Sequence, residues 1–111
     1  MPGMDAHRLA EERSLALHRL IAEILRDNPE RVALARARVQ LWQQDGSVSA
    51  RYSHEWARLL DGPLEVLLHT LVDESEHARA LRQATPFAGL IDPRTRWRIW
   101  REVRERVKDS A

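Results

Sequence analysis

The sequence predicts an all-α fold, a compact bundle of five to six helices with no sheet. Proline and glycine divide the 111 residues into segments of helical length, and apolar residues in these segments recur at helical spacing. No stretch alternates apolar and polar residues in the way that a half-buried strand does. The length is typical of one domain, so we expect residues 1–111 to fold as a single helical unit.

Capping residues and prolines mark where the helices begin and end. Asp5 is the predicted cap of the first helix, Asn28-Pro29 separates the first helix from the second, and Asp92-Pro93 begins the last. The predicted helices are residues 6–27, 29–44, 49–60, 63–72, 74–83 and 93–108.

The middle of the chain carries a second group of boundary signals. Gly46 is expected to stop the second helix, and Gly62 is expected to turn left-handed after the third. Pro63 then opens the fourth helix. Asp73, with Glu76 three residues later, reads as a capping pair for the fifth helix.

Apolar patterning indicates where the core lies. The fourth segment, residues 63–72, is apolar on most sides, so we expect it at the centre of the bundle. The loop after the fifth helix is unusually apolar, and Phe87 and Leu90 are expected to plug the bundle. Few apolar residues precede Leu15, so we expect residues 1–12 to fray or to become ordered on a partner.

Composition excludes several classes of protein. The chain has no cysteine, which removes disulfides, zinc ribbons and thiol nucleophiles and suits a cytoplasmic protein. Acids and bases number 17 and 18, so the net charge gives no argument for nucleic acid. The charged start of the chain is not a secretory signal. Polar residues interrupt the longest apolar stretch, so we expect no membrane span and no membrane partner.

Four residues form the best candidate for a chemical site: Glu65, His69, Asp73 and His77, each four positions after the last. On one continuous helix they would form a ladder of side chains able to bind a metal. The predicted helix end at Asp73 breaks this ladder, and the same spacing describes an ordinary solvated face. We therefore predict no metal and no cofactor, and keep His69, Asp73 and His77 only as weak metal candidates.

Motifs of known enzymes are absent from the sequence. There is no HExxH, no GxSxG and no glycine loop able to cradle a phosphate. We therefore expect a non-enzymatic protein, although a site assembled between subunits stays open. A helix-turn-helix around Gly46 is disfavoured, because Trp42 and Tyr52 stand where that motif wants small residues.

The last helix is the strongest charge feature. Seven basic residues lie between 94 and 108, opposed only by Glu102 and Glu105, so the segment carries a net charge of +5. Three interpretations compete. The helix closes the core and is otherwise solvated, or it binds a protein partner, since Trp and Arg are common in interface hot spots, or it contacts nucleic-acid phosphates.

The four tryptophans are many for a chain of this size. Each is large and lies on the apolar side of its predicted helix, so we expect Trp42, Trp56 and Trp97 in the core. Trp100 is expected at the edge of an interface. The small core and the tryptophans together favour a homodimer. The predicted partner-binding residues are Arg94, Arg98, Trp100, Arg101 and Arg104.

Three stretches carry a resemblance to known proteins. They are RSLALHRLIAE at 13–23, LDGPL at 60–64, and ALRQATPFAGL at 80–90 with the Asp92-Pro93 and Arg96-Trp97 that follow. The chain resembles a group of small uncharacterised bacterial helical proteins encoded beside toxin–antitoxin-type genes. The resemblance implies an antitoxin-like role, as the partner of a neighbouring gene product. The acidic disordered tail and DNA-binding domain of many antitoxins are not visible here.

The sequence therefore predicts a non-catalytic protein-binding module. Its contact surface would combine the first helix with the arginine- and tryptophan-rich last helix. The alternative is a nucleic-acid-binding module that uses the basic last helix.

Overall fold

The computed structural model describes residues 2–110, with side chains described for residues 6–108. Its helices are α1 (Pro2–Asp27), α2 (Val32–Asp45), α3 (Ala50–Asp61), α4 (Leu64–Val72), α5 (Glu76–Gln83) and α6 (Pro93–Ser110). Two short 3-10 helices, Pro29–Arg31 and Ala88–Leu90, precede α2 and α6. No strand occurs within residues 2–110, and the predicted all-α bundle of five to six helices is confirmed. In the same residues, no helix combines the length and apolarity needed to cross a membrane.

The centre of the bundle is organised around α1, which packs against α4, α5 and α6. Ile21 and Leu25 on α1 are fully buried. α4 also contacts three helices and buries Leu67 and Leu71, but it leaves Val66 51% exposed. α4 was expected at the centre of the bundle; it contacts three helices there but leaves one side open to solvent. Its nine residues are too few to be enclosed on all sides, and the much longer α1 connects the other elements.

Trp56 of α3 lies at the heart of the core. Its side chain is fully buried, and its Nε1 donates a hydrogen bond to the Leu81 carbonyl oxygen at 3.2 Å. The ring of Phe87 meets the indole edge-to-face, with 6.0 Å between ring centroids. Phe87 thus fills the bundle as predicted, and Leu90 packs half-buried against the same core. The side chains of Trp56 and Phe87 therefore connect α3, α5 and the loop that follows α5.

The two glycines expected to end helices behave differently. Gly46 follows α2 with φ at +69°, and its amide donates to the Trp42 carbonyl oxygen, so the predicted stop is confirmed. Gly62 follows α3 with φ at −89° and ψ at −169°, which is extended. The prediction of a left-handed Gly62 is wrong. Pro63 comes next, and the residue before proline is held in the extended region.

The predicted helix starts are only partly right. Asp92 caps α6 as expected, because its carboxylate accepts from the Thr95 amide at 2.9 Å and from the Thr95 hydroxyl at 2.7 Å. The cap of α5 is Ser75, whose hydroxyl accepts from the Ala78 amide, so the assignment to Asp73 is wrong. α1 begins at Pro2, which places Asp5 inside the helix rather than at its cap.

Candidate functional site

One side of α6 fixes this helix to the bundle. Val103 is 1% exposed and Ile99 is 8% exposed, so these two residues carry the inner face. Beside them the guanidinium carbon of Arg13 lies 5.7 Å from the centre of the Trp100 ring. An ion pair with 3.8 Å between Arg106 Nη2 and a Glu12 carboxylate oxygen adds a second link to α1. These contacts settle which way the helix is turned.

Arg96 ties the start of α6 to the loop before it. Its Nη2 donates to the carbonyl oxygens of Ala88 and Ile91. These carbonyls belong to a 3-10 helix and the residue that ends it, so they lack regular helical partners. This arginine therefore has a structural role, unlike the arginines on the outer side of the helix.

The opposite side of α6 carries what we call the basic face: Arg94, Trp97, Arg98, Arg101 and Arg104. Successive members are one or three positions apart, which places them on one side of a helix. All five side chains are exposed. Trp97 is 61% exposed, the largest apolar side chain on the surface of residues 6–108. An indole among four guanidinium groups therefore faces outward.

The arginines of the basic face make few ion pairs within the fold, although Glu102 and Glu105 lie beside them on the same surface. Among residues 6–108, no ion pair or side-chain hydrogen bond engages Arg94, Arg101 or Arg104. Arg98 has only a long contact with Glu102, 4.0 Å between nitrogen and oxygen, and both side chains are largely exposed. Such a contact contributes little in water. The positive charge is thus available to a binding partner.

No family model, curated protein or solved structure matches this chain. The interpretation of the basic face consequently depends on its exposure, charge and contacts. The resemblance to proteins encoded beside toxin–antitoxin-type genes stays a prediction.

The structure places one of the four tryptophans differently from the sequence prediction. Trp97 was predicted in the core, and this is wrong. It lies about 120° around the helix from Val103, since each residue turns the helix by about 100° and six positions separate this pair. Ile99, which is much closer to Val103 around the axis, fills the inner position instead. Trp100 is half-buried beneath Arg13. Trp56 and Trp42 do pack in or against the core.

The candidate metal ladder does not assemble. α4 ends at Val72, and Asp73 has an extended backbone, so the four residues do not share one helix. The Asp73 carboxylate accepts from the Ser75 hydroxyl at 2.8 Å, and this hydrogen bond lowers the pKa of Asp73. His77 Nε2 lies 3.1 Å from Glu55 Oε1 on α3. Within residues 6–108 no three His, Asp or Glu side chains gather to hold a metal ion.

A buried polar network that the sequence did not predict connects α1 to the loop after α5. His18 of α1 is 1% exposed; its Nδ1 lies 2.7 Å from the Ser14 carbonyl oxygen, and its Nε2 lies 2.9 Å from Thr85 Oγ1. A carbonyl only accepts, so Nδ1 carries the proton and the Thr85 hydroxyl donates to Nε2. Thr85 Oγ1 accepts in turn from the Phe87 amide. Burial lowers the pKa of His18 to about 4.

Arg82 lies next to this network and is equally hidden. It is 4% exposed, and its Nη1 donates to the carbonyl oxygens of Leu71 and Asp73, at 3.3 and 2.5 Å. These are carbonyls at the end of α4 that the helix leaves without partners. Desolvation lowers the pKa of Arg82, and its charge helps to lower that of His18. A lone histidine within the apolar stripe of α1 was the only sequence signal.

Proposed function

We propose that this chain is a non-catalytic protein-binding module that docks an acidic protein partner through the basic face of α6. The observation that carries the proposal is the exposure of Trp97 at 61% among four outward-facing arginines. Aromatic and arginine side chains dominate the binding energy of many protein interfaces. Single apolar residues are common on protein surfaces, so the argument depends on the position of this indole among the four arginines.

Charge argues for the acidity of the partner. The face carries four arginines, and three of them have no ion pair or side-chain hydrogen bond within residues 6–108. A partner that offers carboxylates would pair with their guanidinium groups in forked geometry. Such charges speed association and select the partner, while the indole supplies buried area. We further propose a cytoplasmic location, which suits a chain without cysteine.

The first partner to test is the product of the gene beside this one, in line with the predicted antitoxin-like role. The two proteins are co-expressed, one of them tagged, and captured after nuclease treatment. We expect the pair to co-purify. Trp97→Ala and Arg101→Glu should each abolish or strongly weaken capture, because they remove the indole and reverse a central charge. Recovery of the tagged protein alone would remove the main support for the proposal.

The matched control is Arg31→Glu. Arg31 is exposed on the 3-10 helix before α2, so this change reverses one charge outside α6. We expect capture to persist in this variant. If Arg31→Glu weakens capture as much as Arg101→Glu does, the attraction depends on net charge and not on the basic face.

A nucleic-acid partner is the alternative outcome. Guanidinium groups contact phosphates and an exposed indole can stack on bases, so the same face would serve. Affinity for a mixed-sequence oligonucleotide would then fall steeply with added salt and would depend on Trp97. A gel-shift series at low salt with no retained oligonucleotide removes this alternative.

The expected homodimer stays a prediction, and α2 offers a surface on which to test it. Leu34 and Leu41 are 66% and 58% exposed, one heptad apart on the outer side of this helix. If they meet a second copy, Leu34→Lys with Leu41→Lys should shift a dimer to a monomer in sedimentation equilibrium. A wild-type monomer at high concentration would contradict the prediction.

A further inference from the structure

A cleft opens between α1 and α5, on a different part of the surface from the basic face. Its cavity volume is about 80 Å³. The lining residues are His7, Ala10, Glu11, Ser14, Arg79, Arg82 and Gln83. This volume is well below the range typical of drug-sized ligands, so the cleft has room only for a ligand of a few heavy atoms.

Arg82 forms the inner wall of the cleft and is incompletely bonded. Its Nη1 is held by the carbonyl oxygens of Leu71 and Asp73, as described above. Its Nε is buried and has no hydrogen-bond partner among the described residues. The Nε atoms of Arg13 and Arg96 share this property, so an enclosed Nε does not by itself mark a site. Nη2 of Arg82 is not enclosed and makes no hydrogen bond to a described residue, so it is the guanidinium nitrogen that a ligand can reach.

The rim of the cleft adds charges of both signs. Glu11 Oε1 lies 3.0 Å from His7 Nε2, and Glu11 Oε2 lies 3.8 Å from Arg79 Nη1. Glu11 therefore balances one of the two arginines that line the cleft. The other positive charge has no carboxylate within ion-pair distance among the described residues, since only carbonyl oxygens contact Arg82.

Polar groups continue from the cleft into the core. Ser14 lines the cleft, and its carbonyl oxygen accepts from the buried His18. Of the three polar residues buried in the described chain, two, His18 and Arg82, lie at or directly behind this cleft. Buried polar side chains that converge on a cavity are typical of ligand sites.

We propose that the cleft between α1 and α5 binds a small carboxylate, held by the guanidinium groups of Arg82 and Arg79. Each guanidinium nitrogen donates N–H groups to carboxylate oxygens, so Nη2 of Arg82 and the head group of Arg79 would each bind one oxygen of the ligand. The inner arginine is already fixed by two carbonyls, so little side-chain freedom is lost on binding. Glu11, Asp73 and Glu74 act electrostatically on Arg82 from outside ion-pair distance, and the ligand would compete with them for its charge.

The experiment uses the full ¹⁵N-labelled chain, titrated with sodium acetate at constant ionic strength maintained with sodium chloride. Acetamide, which has the shape of acetate without its charge, is the matched control. We expect saturable shifts of backbone amides at Ser14, Arg79 and Gln83 with acetate and none with acetamide. Shifts that grow linearly without saturation, or that acetamide reproduces, would overturn the proposal.

Three variants decide the role of the charges. Arg79→Gln should weaken acetate binding by about tenfold, since one charge-assisted contact is lost. Arg58→Gln, an exposed arginine of α3, should leave it unchanged. Glu11→Gln should tighten binding several-fold, because it removes a competing carboxylate. Arg79→Gln and Glu11→Gln both keep Arg82, because replacing Arg82 would remove the donor that satisfies the carbonyls at the end of α4. Unchanged affinity in Arg79→Gln and Glu11→Gln would reject the site.

Discussion

The guanidinium group of Arg13 on α1 lies over the ring of Trp100 on α6, with 5.7 Å between the guanidinium carbon and the ring centre. This distance is within the range of a cation–π contact. The contact covers one face of an indole that would otherwise be open to solvent at the edge of the core. α6 therefore carries one tryptophan that fixes the fold and, three residues earlier, one that is free to meet a partner.

Arg13→Ala should lower the free energy of unfolding by about 1 kcal/mol, because a partly buried cation–π contact is lost. Urea denaturation followed by circular dichroism measures the change. Arg19→Ala is the control, since Arg19 is exposed on the same helix. It should change stability by less than about 0.5 kcal/mol. Equal effects of the two changes would show that the contact does not stabilise the fold.

The tryptophans allow a second comparison, between Trp56 and Trp97. Trp56→Ala should cost about 3–5 kcal/mol, because it opens a cavity beside Phe87 and leaves the Leu81 carbonyl without its donor. Trp97→Ala should change stability by less than about 0.5 kcal/mol, since most of its side chain is exposed. Thermal unfolding of both variants checks this. A destabilised Trp97→Ala would mean that this residue belongs to the core.

Features that depend on residues within one helical turn could be predicted from the sequence better than features that depend on distant residues. Local chemistry placed Gly46 and Asp92 correctly, because a left-handed glycine and an aspartate cap act within one turn. Ser75 and Asp73 lie two residues apart and both can cap, so only the course of the backbone chooses between them. Similarly, Pro63 overrides the left-handed preference of Gly62.

The orientation of α6 could not be predicted from its composition. Arg94, Arg98, Arg101 and Arg104 are exposed, Trp97 is exposed beside them and Trp100 is half-buried, while partner binding by these residues stays a prediction. Helical spacing alone permits several apolar stripes on a helix with so many large side chains, and packing against α1 selects one. The buried network of His18 and Arg82 could not be predicted, because its members are joined by contacts between distant segments.

Alanine should destabilise the fold at only one of the two glycines that follow helices. Gly46→Ala should lower the free energy of unfolding by about 1 kcal/mol, because φ at +69° is strained for a residue with a Cβ. Gly62→Ala should change it by less than about 0.5 kcal/mol, since its backbone is extended and the nearest atom to an added Cβ is 3.4 Å away. Chemical denaturation of both variants gives the comparison. A larger loss for Gly62→Ala would contradict the observed conformations.

His18 predicts a dependence of stability on pH. Its pKa in the folded protein is about 4, below the ordinary value of 6.5, because burial opposes the charged form. Between these two values the unfolded chain binds a proton more readily than the folded one, so stability falls as the pH falls through this window. A shift of this size corresponds to a loss of about 3 kcal/mol once the pH is below 4.

Urea denaturation midpoints measured from pH 7 to pH 4 test whether His18 causes this pH dependence of stability. The wild type should lose stability progressively below pH 6.5, whereas His18→Gln, which cannot titrate, should show a flatter profile down to about pH 4.5. The capping carboxylate of Asp92 does not interfere in this interval, because its pKa lies below the ordinary 3.8 as a result of the hydrogen bonds from Thr95. Parallel profiles for the two proteins between pH 6.5 and 4.5 would show that a different group controls the acid sensitivity of the fold.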